Sequence, residues 1–166
     1  MTAGKPRWEI QPRVGLGPVR LGMAQAEIAG FDTDAGAPIL VEEEFGFVIE
    51  HRFHYTPKCE HQHGKLVDID THANEKIDVV IDGIDVFATS PRALLAHLAE
   101  KNGGVALSHG AVVFAKLGIV TGGFWINKEY RYWDPGSGEQ DDRTLAIFDK
   151  DAFARSIADV TQFTLP

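Results

Sequence analysis

Phe45-Gly46-Phe47-Val48-Ile49-Glu50-His51-Arg52-Phe53-His54-Tyr55 is the stretch on which the fold turns. Phe45, Phe47, Ile49, Phe53 and Tyr55 hold odd positions, while Glu44, Glu50, Arg52 and His54 hold even ones. Successive side chains of a strand point to opposite faces, so this period of two predicts a strand with one buried and one wet side. The phase places His51 on the buried side. Working outward, residues 66 to 71 and 76 to 81 read as two more strands joined by a turn at His72-Ala73-Asn74-Glu75. The segment Thr56-Pro57-Lys58-Cys59-Glu60-His61-Gln62-His63-Gly64 then reads as the loop of the preceding hairpin. Further strands are predicted at about 111 to 115, 119 to 126 and 144 to 148, with an exposed segment from Asp134 to Asp142 before the last.

Helical signals bracket these strands. Met23, Ala24 and Ile28 lie about one turn apart and predict a short helix stopped at Gly30. Ser90-Pro91 supplies an N-cap and a first-turn proline, Leu94, Leu95 and Leu98 an apolar stripe, and Asn102-Gly103-Gly104 a stop. A last helix starts near Asp149 and turns Phe153, Ile157 and Val160 inward. Helices among closely spaced strands, without regular βαβ alternation, predict a single α+β domain over residues 1–166: an antiparallel sheet with about three helices packed on one face. Each half runs as a helix followed by strands, without a repeated sequence.

The 166 residues are 44% hydrophobic and carry a formal net charge of −8, which suits a soluble globular domain and repels phosphate backbones and anionic lipid. Neither a nucleic acid nor a membrane is therefore an expected partner. One cysteine excludes an internal disulfide and fits a cytoplasmic, reducing location. The opening Met1-Thr2-Ala3-Gly4-Lys5-Pro6-Arg7-Trp8 lacks the apolar core of a secretory signal. The apolar run from Gly110 to Ile126 is broken by Lys116 and by glycines, and reads as two strands rather than a membrane span.

Three groups of residues carry candidate chemistry. His51, His54, His61, His63 and His72 fall close together with Cys59 among them, and imidazole and thiolate are zinc ligands. An extended Cys59-x-His61-x-His63, completed by His54, gives a four-ligand set, although the spacing differs from common structural zinc sites. The alternative is a polar loop of solvent-exposed histidines. The acids Glu42-Glu43-Glu44 and Asp141-Asp142 form a second group, suited to attracting a cationic partner. Phe124-Trp125-Ile126 through Tyr130-Arg131-Tyr132-Trp133 forms the third: Phe124, Ile126, Tyr130 and Tyr132 would share one strand face and pack against a helix as core, or the set is an interface with Trp133 as a candidate anchor. Asp68 with Asp70, Asp78 with Asp82, and Glu139 add carboxylate pairs that general acid–base chemistry would use only if one partner were buried. Ser108-His109 lacks a nucleophile elbow, and Gly15-x-Gly17 and Gly103-Gly104 do not extend into a phosphate-binding loop.

Val14-Gly15-Leu16-Gly17-Pro18-Val19-Arg20-Leu21-Gly22-Met23, followed by Ala26-Glu27-Ile28, resembles the opening of small bacterial domains of the SmpA/OmlA and beta-lactamase-inhibitor-like kind. Ile84-Asp85-Val86, Ser90 through Leu98, and Val112 through Ile119 more loosely resemble immunity proteins of bacterial polymorphic-toxin systems. The resemblance implies a non-catalytic binding protein that neutralises a cognate toxin or effector and needs no cofactor. Glu42, Glu43, Glu44, Asp141 and Asp142 would attract that partner and Trp133 would anchor it. The competing expectation is a zinc-binding protein or small metal-dependent hydrolase built on His54, Cys59, His61 and His63.

Overall fold

The computed structural model describes residues 4–166; Met1–Ala3, the start of the stretch read for a secretory signal, lie outside the described residues. Strands β1 (Arg7–Gln11), β2 (Gly15–Leu16) and β3 (Val19–Arg20) lead into helices α1 (Gln25–Ala29) and α2 (Asp32–Ala35). There follow β4 (Leu40–Glu44), β5 (Phe47–His51), β6 (Lys58–Gln62) and β7 (Lys65–His72), then β8 (Asp78–Ile81), β9 (Ile84–Asp85) and α3 (Pro91–Asn102). The second half continues through β10 (Val105–Ser108), β11 (Ala111–Phe114) and β12 (Ile119–Gly122) to the small hairpin of β13 (Trp125–Ile126) and β14 (Arg131–Tyr132). β15 (Thr144–Phe148), α4 (Lys150–Ser156) and β16 (Thr161–Phe163) complete it.

The main sheet has nine strands in the order β16-β10-β11-β12-β15-β7-β6-β5-β4, every neighbouring pair antiparallel. It is two four-strand meanders joined at their last strands, β4 to β7 from the first half and β10, β11, β12 and β15 from the second, with β7 beside β15 and β16 added at the β10 edge. The expected division into two halves is therefore an architectural one. A second sheet, β3-β2-β1-β8-β9, brings the halves together again through the parallel pair β1 and β8.

One face of the main sheet, here the inner face, packs Ile69, Ile119, Leu145 and Ile147 against Leu94, Leu95 and Leu98 of α3, Ile28 of α1 and the small sheet. The opposite, outer face is covered by α4 over β7, β15 and the adjoining part of β12, where Val67, Ala146, Phe148 and Val120 meet Ala152, Phe153 and Ile157. Ser90 Oγ accepts from the Ala93 N–H and Gly103 ends α3 at φ 79°, so the local signals there give the helix that was expected. Asp149 caps α4 in the same manner. Among the described residues no helix is long and apolar enough to cross a membrane.

The α+β expectation with three helices on one face is corrected. Of the described residues, 38% lie in strands and 21% in helices or helical turns, which makes the architecture mostly β. Only α3 and α4 reach seven residues, and they lie on opposite faces. The pattern at residues 23 to 29 yields little more than one turn of helix. Segments without a two-residue apolar period, such as β4 and β6, are held as strands by ladder pairing instead.

The strand predicted over 45 to 55 is also corrected, in bounds and in phase. Phe45-Gly46 is a turn, with φ of 48° and 83°, and the even residues Glu50 and Arg52 are the buried ones. Phe45 and Phe53 stand 90% and 68% exposed, and Val160 is likewise exposed rather than turned inward. Charge pairing sets the phase. The Arg52 guanidinium donates to Asp32 Oδ1 at 3.0 Å and to the Gly36 carbonyl at 2.8 Å, and reaches Glu50 Oε2 at 3.5 Å, tying α2 to the inner face.

Candidate functional site

The two-residue turn at Phe45-Gly46 has positive φ at both positions, the geometry that matches the twist of a hairpin, and glycine takes φ 83° at no steric cost. It fixes the β4–β5 register from Leu40 opposite His51 to Glu44 opposite Phe47. The ladder continues with Ile49 opposite Glu60, Glu60 opposite Asp68, and Lys58 opposite Asp70. Because side chains alternate, the outer face over β4–β7 presents Leu40, Glu42 and Glu44, then Phe47, Ile49 and His51, then Lys58, Glu60 and Gln62, then Lys65, Asp68 and Asp70. Phe47 and Ile49 are only half-buried, and neither belongs to either hydrophobic cluster of the molecule. The result is an apolar row on a sheet face that is uncovered over β4–β6, edged by Glu42, Glu44 and Glu60, with Lys58 paired to Asp70, Lys65 opposite Gln62, and Asp68 buried where α4 covers β7.

Polar contacts order this face. His51 Nε2 meets Glu42 Oε2 at 2.7 Å, and Lys58 Nζ meets Asp70 Oδ2 at 2.9 Å. Lys58 also lies 5.3 Å from the centre of the Tyr55 ring, which packs edge-on against His72. Burial works against the Lys58 charge, but Asp70 and then Asp68 hold its pKa above the ordinary lysine value. Glu60 is pushed up, chiefly by burial. Asp68 is pushed well up by burial and next by the Asp70 charge; it is 7% exposed, and its Oδ1 has no hydrogen-bond partner.

A buried carboxyl with a raised pKa costs stability once the folded state must ionise it. Below the ordinary aspartate pKa of about 3.9 both states are protonated and the cost is absent; it grows as pH rises and is complete above the folded-state value. Asp68→Asn is therefore expected to raise the unfolding free energy at pH 7 by roughly 1–3 kcal/mol and to change it little at pH 3. Urea titrations at the two pH values measure this, and equal stabilisation at both would mean that the Asp68 charge is not the cause.

The sequence-derived residues divide sharply. Glu42 and Glu44 lie on the open face, whereas Glu43 points to the inner side of the same exposed strand. Trp133 is buried, with the Arg143 guanidinium 4.2 Å from its ring centre. Asp141 is committed to that same arginine, at 2.9 Å from both Nε and Nη2, and this pairing lowers its pKa. Asp142 is exposed beside Arg143, next to the Thr144 end of β15. β15 is four strands from β4, roughly 19 Å at ordinary strand spacing. Trp133, Asp141 and Asp142 thus belong to a different part of the surface from Glu42 and Glu44, and Trp133 packs as core.

The four candidate metal ligands do not converge. Cys59 and His61 are buried side by side on the inner face of β6, a strand where the sequence predicts a hairpin loop. His54 lies in the turn before β6, and His63 in the turn after it, a strand length of about 17 Å away. Burial pushes the Cys59 thiol up to about 12, and burial likewise lowers the His61 pKa. Among the described residues no group of three or more His, Cys, Asp or Glu side chains is placed to hold a metal ion.

Phe47, Ile49, Glu60, Asp68 and Asp70 are the face residues that sequence reasoning did not assemble. His63-Gly64 is the missed signal: both have positive φ, and a hairpin turn placed there pairs Gln62 with Lys65, after which a register shift between His61 and Glu60, not written in the turn, sets Glu60 opposite Asp68. Comparisons with protein-family models, with curated proteins and with solved structures find no match to this chain.

Proposed function

We propose that this chain is a non-catalytic protein-binding domain of the immunity or inhibitor type, which neutralises a cationic toxin or effector by laying the open face of β4–β7 against it. One observation carries the reading: Phe47 and Ile49 form an apolar row with no helix over it, edged by the carboxylates of Glu42, Glu44 and Glu60. Apolar side chains left half-covered on a rigid sheet, with a charged rim, supply the two ingredients of a specific interface. The carboxylates supply long-range attraction to a basic partner and repel nucleic acid. A cytoplasmic setting is part of this proposal, and the free thiol of buried Cys59 suits it.

The test is coexpression with the product of the reading frame next to this gene. A complex of near one-to-one stoichiometry is expected. The combined variant Glu42→Lys, Glu44→Lys, Glu60→Lys should then associate about tenfold more slowly at low salt, with the difference shrinking as salt is raised. An association rate untouched by the three reversals, or no complex with the neighbouring product, would remove the reading.

A further inference from the structure

β4 ends the nine-stranded sheet, and all five of its residues are exposed. The two-residue turn at Phe45-Gly46 makes Glu44 and Phe47 a hydrogen-bonded pair, and alternation extends this to Glu42 with Ile49 and Leu40 with His51. The N–H and C=O groups of Val41 and Glu43 consequently face away from β5 and offer an open ladder. Leu40 and Val41 are each about half exposed, and Phe45 at the hairpin tip is 90% exposed.

We propose that β4 is an acceptor for strand addition, and that its occupant is an extended basic segment of the partner protein, paired antiparallel. The proposal rests on the docking-face reading and gives it a mode of contact. The residues of β4 specify the occupant. A strand running antiparallel meets Glu44, Glu43 and Glu42 first and then Val41 and Leu40, so the complementary order is three basic residues followed by two apolar ones. A second copy of this chain is the poorer occupant. Antiparallel self-pairing centred on Glu42 or on Glu43 sets glutamate opposite glutamate, which is the usual defence of an edge against its own kind. The charges that repel a copy therefore select a basic strand, with main-chain bonds supplying attraction and side chains supplying choice.

The probe is a capped peptide of three lysines followed by two valines, flanked by threonines, added to the full chain and followed by amide hydrogen exchange and chemical shifts. Exchange at Val41 and Glu43 is expected to slow at least tenfold. Val41→Pro, which removes one outward N–H and none of those facing β5, should abolish the effect, as should N-methylation of alternate peptide amides, which leaves the protein untouched. A peptide with glutamates in place of the lysines should give no protection. Shifts confined to Ile49 and Glu60 without protection of Val41 and Glu43 would overturn strand addition while leaving the docking face standing. Equal protection by the glutamate peptide would overturn the assigned occupant. A one-to-one complex with the neighbouring product in which Val41 and Glu43 still exchange freely would sink this proposal alone.

Discussion

Replacing Arg52 with methionine is expected to lower the unfolding free energy by about 3–5 kcal/mol, the cost of leaving a buried charge without its partner. The Arg52 side chain is 1% exposed and that of Glu50 8%, so water cannot replace the lost cation at Glu50. Gln25 Nε2 donates to Glu50 Oε1 at 3.2 Å, but a neutral amide does not neutralise the carboxylate. The variant also frees Asp32 and the Gly36 carbonyl, which bracket α2. A four-residue helix has no stability of its own, so α2 should lose its place against the sheet. The urea midpoint measures the first effect, and a melting temperature lower by about 2–4 °C per kcal/mol accompanies it. The double variant Arg52→Met with Glu50→Leu should recover most of the loss, because removing a buried pair together is far less costly than removing one partner. A single-variant cost below about 1 kcal/mol would mean that the ion pair does not set the phase of this hairpin.

What the sequence displayed, and what it hid, follows from the distance over which each feature is decided. α3 was legible in full because Ser90, Pro91 and Gly103 act within one turn of the helix ends they define. The 144 to 148 strand was legible for a similar reason: its two faces are buried against separate clusters, so its residues read as a continuous apolar run. The hairpin around Phe45 was legible in period and misleading in side. Alternation states that two faces differ, whereas the choice of inner face was made by Arg52 with Asp32, twenty residues apart in sequence. The usual rule that the apolar face is the buried one fails here because this sheet has a second apolar surface with no helix over it. β6 escaped notice because Cys59 and His61 face one side and Lys58 and Glu60 the other, leaving no simple hydrophobic signal. The candidate site shared that fate: Glu42, Glu44, Asp68 and Asp70 were each visible as acids, but only the register of β4 through β7 gathers them. Trp133, Asp141 and Asp142 misled in the opposite direction. Arg143, itself buried, stacks on the tryptophan face within the molecule and holds the Asp141 carboxylate in an ion pair at the surface.

Phe47→Ala and Ile49→Ala should separate the two meanings of an apolar residue. In a core, truncating a large aliphatic side chain costs about 2–5 kcal/mol because the lost contacts leave a cavity, and Ile147→Ala, fully buried between β7 and β12, should behave so. Phe47 and Ile49 are half-buried and outside both clusters, so each alanine variant should cost less than about 1 kcal/mol of folding stability, the range of a cross-strand pair. Their contribution is expected in the complex. Aromatic and aliphatic anchors at the centre of a docking face account for about 2 kcal/mol each when truncated, so the double variant should weaken the partner complex by roughly a thousandfold. Most of that loss should come from faster dissociation, unlike the reversal of Glu42, Glu44 and Glu60, which acts on the encounter. Calorimetric titration against the neighbouring gene product, beside urea unfolding of the free variants, measures both quantities. Core-like instability with unchanged affinity would place Phe47 and Ile49 among the residues that hold the fold and would remove the apolar centre from the proposed interface; near-native stability with a collapsed affinity would identify the uncovered row as the part of the sheet kept for another molecule.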